Sequence, residues 1–138
     1  MGDLGEKERI LVVDDDEIHL AFVESILREE YSVSSVTSGR AALDLLGEGF
    51  APALVILDIL MPKMDGFETF EKARGLESMR DVPTIFLTSV NAPEDIRRAL
   101  SIGAADYITK PYIMENFKNR VRNAISVYRY KKSARAPA

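Results

Sequence analysis

Five short apolar runs alternate with five segments of helical spacing along this chain, and no other feature restricts its fold so tightly. The runs are Arg9 to Val13, Tyr31 to Val36, Ala53 to Leu57, Val82 to Leu87 and Ala105 to Thr109. Glu17 to Glu30 repeats apolar residues at Ile18, Phe22 and Ile26 and at Val23 and Leu27, the spacing of a helix with acids in its first turn. Ser38-Gly39 opens a shorter helix carrying Ala42, Leu43 and Leu46, stopped by Gly47 and Gly49. Gly66 to about Gly75 holds Phe67, Phe70 and Ala73. Pro93 to Ile102 is punctuated by an early proline and by Gly103. Ile113 to Tyr128 carries Phe117, Val121, Ala124-Ile125 and Tyr128. Strand and helix in strict alternation imply one α/β domain, a parallel sheet with right-handed crossovers and helices on both faces. The third run reads as a strand buried on both sides. It ends in Asp58, and Pro62 and Asp65-Gly66 then turn the chain.

Composition removes several classes of function. The net charge of −4 gives no pull toward nucleic acid or an anionic membrane. With no cysteine, disulfides, thiolate metal sites and thiol catalysis are excluded. No apolar run approaches the roughly 20 residues that cross a bilayer. The opening MGDLGEKER is too acidic and polar for a signal peptide, so the expected location is the cytoplasm. Residues 1 to 8 are read as disordered, 9 to 128 as the domain, and 129 to 138 as a basic tail or the start of a linker, without a packing pattern.

Four strand ends carry polar groups that their apolar strands do not explain: Asp14-Asp15, Asp58, Thr88 and Lys110. A parallel sheet places all of these on one edge, where open α/β sheets bind ligands. Two like charges about 4 Å apart cost roughly 4 kcal/mol at an effective dielectric near 20, so clustered carboxylates need a cation or a proton. Oxygen ligands of this kind suit Mg²⁺, which leaves room for a phosphate. Lys110 adds a compact positive charge suited to phosphate oxygens, and Thr88 a hydroxyl donor. Together they form a cradle for phosphoryl transfer to a carboxylate.

The motifs VVDDD, LDILMPKMDG, FLTS and DYITKP, in this order and spacing, resemble the receiver domain of two-component response regulators, over Arg9 to about Tyr128. The resemblance implies a flavodoxin-like, five-stranded doubly wound sheet of order 2-1-3-4-5 with five helices. That order makes the first and third strands neighbours and brings Asp14, Asp15 and Asp58 together. It further implies that Asp58 accepts a phosphoryl group from a phosphohistidine on a sensor histidine kinase or phosphotransfer protein. Asp15 would ligate Mg²⁺ (or Mn²⁺) directly and Asp14 largely through water, with Asp58 and the Leu60 carbonyl completing the set. Thr88 and Lys110 would hold phosphoryl oxygens, and Tyr107 would turn inward as Thr88 moves. A cis peptide is expected before Pro111. The fourth helix, fifth strand and fifth helix would present the signal to a partner or output domain. The domain would be a bacterial phosphoprotein that signals rather than an enzyme with a separate substrate, catalysing only its own phosphorylation and dephosphorylation.

Departures from subgroup patterns narrow this reading. Ile96, Ser101, Ala105 and Asn116 stand where dimerising DNA-binding regulators are expected to pair charges. That weighs against a DNA-binding output and leaves a phosphorylation-dependent homodimer open. Leu60 and Val90 are apolar at positions two beyond Asp58 and Thr88, which tune phosphoryl lifetime in the family, so slow self-hydrolysis is expected. Asp16 and Asp65 read as a cap and a turn residue, and His19, the only histidine, as an incidental boundary residue. A phosphatase of the haloacid-dehalogenase type would need Asp-x-Asp-x-Thr, and the segment Asp14 to Ile18 lacks the threonine. A flavodoxin-like electron carrier would need a hydroxyl-rich phosphate loop after the first strand. A receiver that binds without being phosphorylated usually lacks an acid or the lysine, and neither is missing here.

Overall fold

Period-two alternation along the strands divides the side chains between two hydrophobic layers, one on each face of a single sheet. The computed structural model describes residues 6–135. Strand β1 spans Arg9–Val13, β2 Ser32–Val36, β3 Leu54–Leu57, β4 Thr84–Thr88 and β5 Asp106–Thr109, all parallel in the order β2-β1-β3-β4-β5. Helices α1 (Glu17–Leu27) and α5 (Met114–Arg135) cover one face; α2 (Gly39–Gly47), α3 (Gly66–Ala73) and α4 (Pro93–Ser101) cover the other. Ile10, Val12, Leu54, Ile56, Ile85 and Leu87 meet Val23, Phe117 and Val121 on the first face. Leu11, Val55, Leu57 and Phe86 meet Leu46, Phe67 and Ala99 on the second. All four residues of β3 are buried, as a central strand covered on both sides requires.

Short polar side chains start three of the helices. Asp16 accepts from the Ile18 and His19 N–H groups, Ser38 from Ala41 and Asp65 from Glu68. Asp16 is therefore the cap its sequence context indicates, and Asp65, read as a turn residue, caps α3. Lys63 adopts φ of 70° in the loop that leaves β3, and Asp81 φ of 63° ahead of β4.

Four expectations need correction. Helix α1 stops at Leu27 rather than Glu30, where the Tyr31 N–H returns to the Leu27 carbonyl and buries the Tyr31 ring. Ile18 and Phe22 are not on the core side of that helix; Ile18 is 84% exposed, and Leu20 takes the inward position. Strand β4 begins at Thr84, after Pro83, which has no N–H to give a ladder. The basic segment from Arg129, read as lacking a packing pattern, continues α5 to Arg135. Polar ties hold this extension, Arg129 to Glu8 and Arg135 to Asp81, and Lys132 lies over the Tyr128 ring. The expected N-terminal disorder falls largely on residues 1–5, outside the described residues. Glu8 is held both by Arg129 and by the Ser32 N–H, which donates to its carbonyl.

Candidate functional site

The sheet order puts the ends of β1 and β3 side by side, and backbone ladders fix both exits. The Asp14 N–H donates to the Val36 carbonyl at 3.2 Å and the Asp58 N–H to the Val13 carbonyl at 3.0 Å. Asp14 is 2% exposed and Asp58 7%, whereas Asp15 faces solvent. Oxygen atoms of all three carboxylates lie within 4.8 Å of one another. Lys110, beyond β5, brings its Nζ to 3.3 Å from Asp14 Oδ2 and 3.5 Å from Asp58 Oδ2. Thr88 ends β4 fully buried, and its carbonyl accepts the Lys110 N–H at 2.9 Å. The peptide before Pro111 is cis.

Environment pushes the two buried acids in opposite directions. Burial raises the Asp14 pKa, but the His19 hydrogen bond, the Asp16 N–H and Lys110 together outweigh it, so Asp14 sits below the ordinary carboxylate range. Burial also raises Asp58, with the nearby Asp14 charge adding to it; the Thr88 hydroxyl, Lys110 and the Ile59 N–H offset only part, and Asp58 ends above its ordinary value. One ammonium faces three carboxylates, and that residual negative charge, on oxygen donors open to solvent at Asp15, fits a hard divalent cation.

The loop after β3 presses directly on Asp58. Gly66 donates to the Ile59 carbonyl at 2.9 Å, and a Cβ on Gly66 would stand 2.3 Å from the Asp58 carbonyl oxygen. Leu60, two residues beyond Asp58, is exposed. Tyr107 is buried against Phe86, with ring centroids 6.2 Å apart, and its hydroxyl donates to the Val90 carbonyl at 2.7 Å. The Val90 N–H in turn donates to the Thr88 hydroxyl at 3.3 Å. One residue thus joins the end of β4 to the ring on β5.

His19 was expected to be incidental and is not. Its Nδ1 lies 2.7 Å from Asp14 Oδ2 and its Nε2 2.8 Å from the Tyr112 hydroxyl. The Tyr112 contact does not follow from local sequence, since Tyr112 is 93 positions away, whereas Asp14 is only five positions before His19. The available signal was the capping of α1 at Asp16, which places His19 in the first turn, at the same sheet edge as Asp14.

The chain is thus a doubly wound α/β domain whose switch point carries an acidic pocket fit for a divalent cation, with a lysine across it and a hydroxyl beside it. Residues 10–122 match the response regulator receiver domain family, and the chain belongs to that family. A probable cyclic di-GMP phosphodiesterase of Vibrio cholerae is 35% identical over 88% of the chain, which corresponds to 27% of that longer protein. The two-component response regulator ORR11 of Oryza sativa subsp. indica is 35% identical over 78% of the chain and 74% of its own length. Among solved structures, a sensor histidine kinase receiver domain from Pseudomonas aeruginosa, with a magnesium ion in its active-site cleft, superposes with a TM-score of 0.77 at 29% identity, covering 87% of this chain and 98% of that one. Relatives from both plants and bacteria remove the ground for calling the chain bacterial. It is a signalling domain, and the phosphodiesterase name belongs to a protein nearly four times as long as the matched stretch. Among the described residues, no helix is long and apolar enough to cross a membrane.

Proposed function

We propose that Asp58 is the phosphoacceptor of this receiver domain and takes its phosphoryl group from a phosphohistidine of a sensor histidine kinase or phosphotransfer protein. The observation that carries this reading is the meeting of Asp14, Asp15 and Asp58 within 4.8 Å, with Lys110 3.5 Å from Asp58. Asp58 Oδ2 attacks phosphorus; the P–O bond forms as the P–N bond breaks, and the donor imidazole leaves with the electron pair. A raised pKa marks Asp58 as the more basic buried carboxylate and hence the better nucleophile of the two. Its other oxygen is held by the Ile59 N–H at 2.7 Å, which leaves Oδ2 to react. Lys110 and the Thr88 hydroxyl bind the incoming phosphoryl oxygens.

Asp14, Asp15 and Asp58, with the Leu60 carbonyl, are the residues that would hold Mg²⁺ or Mn²⁺. Bound there, the ion would neutralise charge on the transferring group. Tyr107 and Thr88 act as a switch pair through Val90, so a Thr88 hydroxyl drawn to a phosphoryl oxygen releases the Val90 N–H. The α4, β5 and α5 face then changes what it offers to a downstream domain or protein. Around the pocket, exposed Ile18, Phe22, Leu60 and Ile113 supply apolar area for a docking donor. Residues 9–128 form the receiver unit, which α5 continues as a helix to Arg135. We place the domain in the cytoplasm, with no direct contact to nucleic acid or membrane.

Intact-mass measurement after incubation with acetyl phosphate, with and without Mg²⁺, tests this on wild type and Asp58→Asn. One added phosphoryl group requiring both Mg²⁺ and Asp58 is expected. No uptake under any condition would refute the phosphoacceptor reading and leave a binding module that retains the pocket.

A further inference from the structure

Asp14 has more partners than a cation ligand or a lysine contact requires. Its Oδ1 accepts the Asp16 N–H at 2.9 Å. Its Oδ2 is shared between Lys110 Nζ at 3.3 Å and His19 Nδ1 at 2.7 Å. The imidazole is itself fixed from behind by Tyr112, whose hydroxyl lies 2.8 Å from Nε2 and whose ring meets it edge-on at 5.9 Å. Tyr112 is wedged between Phe22 of α1 and Phe117 of α5, so its hydroxyl cannot easily withdraw.

Only one proton arrangement satisfies this chain with a neutral imidazole. Asp14 is acceptor-only when ionised, so Nδ1 must carry the proton and donate to Oδ2. Nε2 is then an acceptor, and Tyr112 donates to it. Burial and the Asp14 charge hold the Tyr112 phenol up to about 12, so its proton is in place at neutral pH. The hydrogen bonds run in one direction, from Tyr112 O–H to His19 and from His19 N–H to Asp14.

We propose that His19 and Tyr112 are positioning residues that hold the Asp14 carboxylate in one orientation and thereby set the affinity of the acidic cluster for a divalent cation. The inference rests on the reading of Asp14, Asp15 and Asp58 as a cation site. Outer-shell partners of this kind fix ligand geometry, and their removal typically lowers metal affinity about 10- to 100-fold. A donor on Oδ2 also keeps Lys110 shared between Asp14 and Asp58. With His19 gone, Lys110 is the one remaining side-chain donor on that oxygen among the described residues, and it is drawn toward Asp14.

The single histidine makes the test clean. Ring ¹⁵N spectra of the full chain at neutral pH read the His19 tautomer directly, and amide shifts during MgCl₂ titration give the dissociation constant. Wild type is expected in the Nδ1–H form. Tyr112→Phe should leave the ring in the Nδ1–H form that Asp14 requires, but free it from behind and weaken Mg²⁺ binding. His19→Leu should weaken it about 10-fold. His19→Asn keeps an amide donor where Nδ1 stood, and should return affinity to within about threefold of wild type, which a loss of general stability would not do. Dispersed amide spectra establish that each variant is folded. An Nε2–H tautomer in wild type, or a His19→Leu affinity equal to wild type, overturns the inference while leaving the cation site intact. A wild type that binds no Mg²⁺, or an Asp15→Asn variant that binds it equally well, overturns the cation-site reading and this inference with it.

Discussion

Gly66→Ala should damage this domain at its most sensitive point, and the structure sets the scale. The new Cβ would lie 2.3 Å from the Asp58 carbonyl oxygen, 2.8 Å from Ile59 Cα and 3.0 Å from Asp58 C. All three are backbone atoms, so no side-chain rotation relieves the contact. Restoring an ordinary carbon–oxygen separation of about 3.3 Å requires a backbone shift of roughly 1 Å. Gly66 has no left-handed φ, so the cost is steric rather than conformational. Overpacking of this kind costs about 1–3 kcal/mol. A displacement of that size at a reacting carboxylate can lower a rate about 100-fold. Urea denaturation reads the first effect, and the rate of mass increase with acetyl phosphate and Mg²⁺ reads the second. Gly47→Ala is the internal comparison: nothing lies within 4 Å of its Cβ position, at the end of α2. There, alanine should stabilise by about 0.5–1 kcal/mol through backbone entropy. If Gly66→Ala matched wild type in both stability and phosphorylation rate, the claim that the loop clamps Asp58 would be wrong.

Leu60→Asn should shorten the life of the phosphorylated protein. One hydrogen bond able to orient an attacking water contributes about 1 kcal/mol, or roughly fivefold in decay rate, and an unchanged decay would sink the idea. Tyr107 and Tyr112 are both held up to about 12, so they stay protonated in the folded state while the unfolded chain ionises near 10. Stability is therefore present in full below pH 10 and declines from there toward 12; alkaline denaturation with tyrosinate absorbance should show ionisation of these residues lagging the exposed ones. Arg135→Ala removes the partner of Asp81 and should cost no more than about 1 kcal/mol, the range of exposed ion pairs. A circular dichroism melt showing a larger loss would mean that the end of α5 is essential to the fold.

Legibility in the sequence followed the kind of interaction involved. The sheet was readable because each strand is an apolar run closed by turn chemistry, and the pocket because four such runs end in groups their burial does not explain. Asp16 was readable as a cap because capping is a contact within three residues, whereas the Gly after Asp65 drew that residue toward a turn reading although it caps α3. His19 was not readable, since the partner that fixes its ring, Tyr112, comes from the loop after β5, 93 positions away, and no local pattern announces a meeting across that distance. Ile18 and Phe22 share the spacing of a core stripe, yet Leu20 and Val23 fill the inward positions; the moment of a short helix whose apolar residues lie on more than one side does not choose between them. The end of α5 escaped because ion pairs rather than apolar periodicity hold it down. Such pairs leave no periodic trace.

Helix α5 starts beside the phosphoacceptor edge and finishes at the opposite one, where Arg135 reaches Asp81 ahead of β4. Its 22 residues make a rod of about 33 Å. The Asp58 edge and the Arg135 end of that rod lie at opposite poles of the molecule. The two ends of α5 are therefore sterically independent: a molecule bound over the Asp58 edge would not collide with one bound at the Arg135 end.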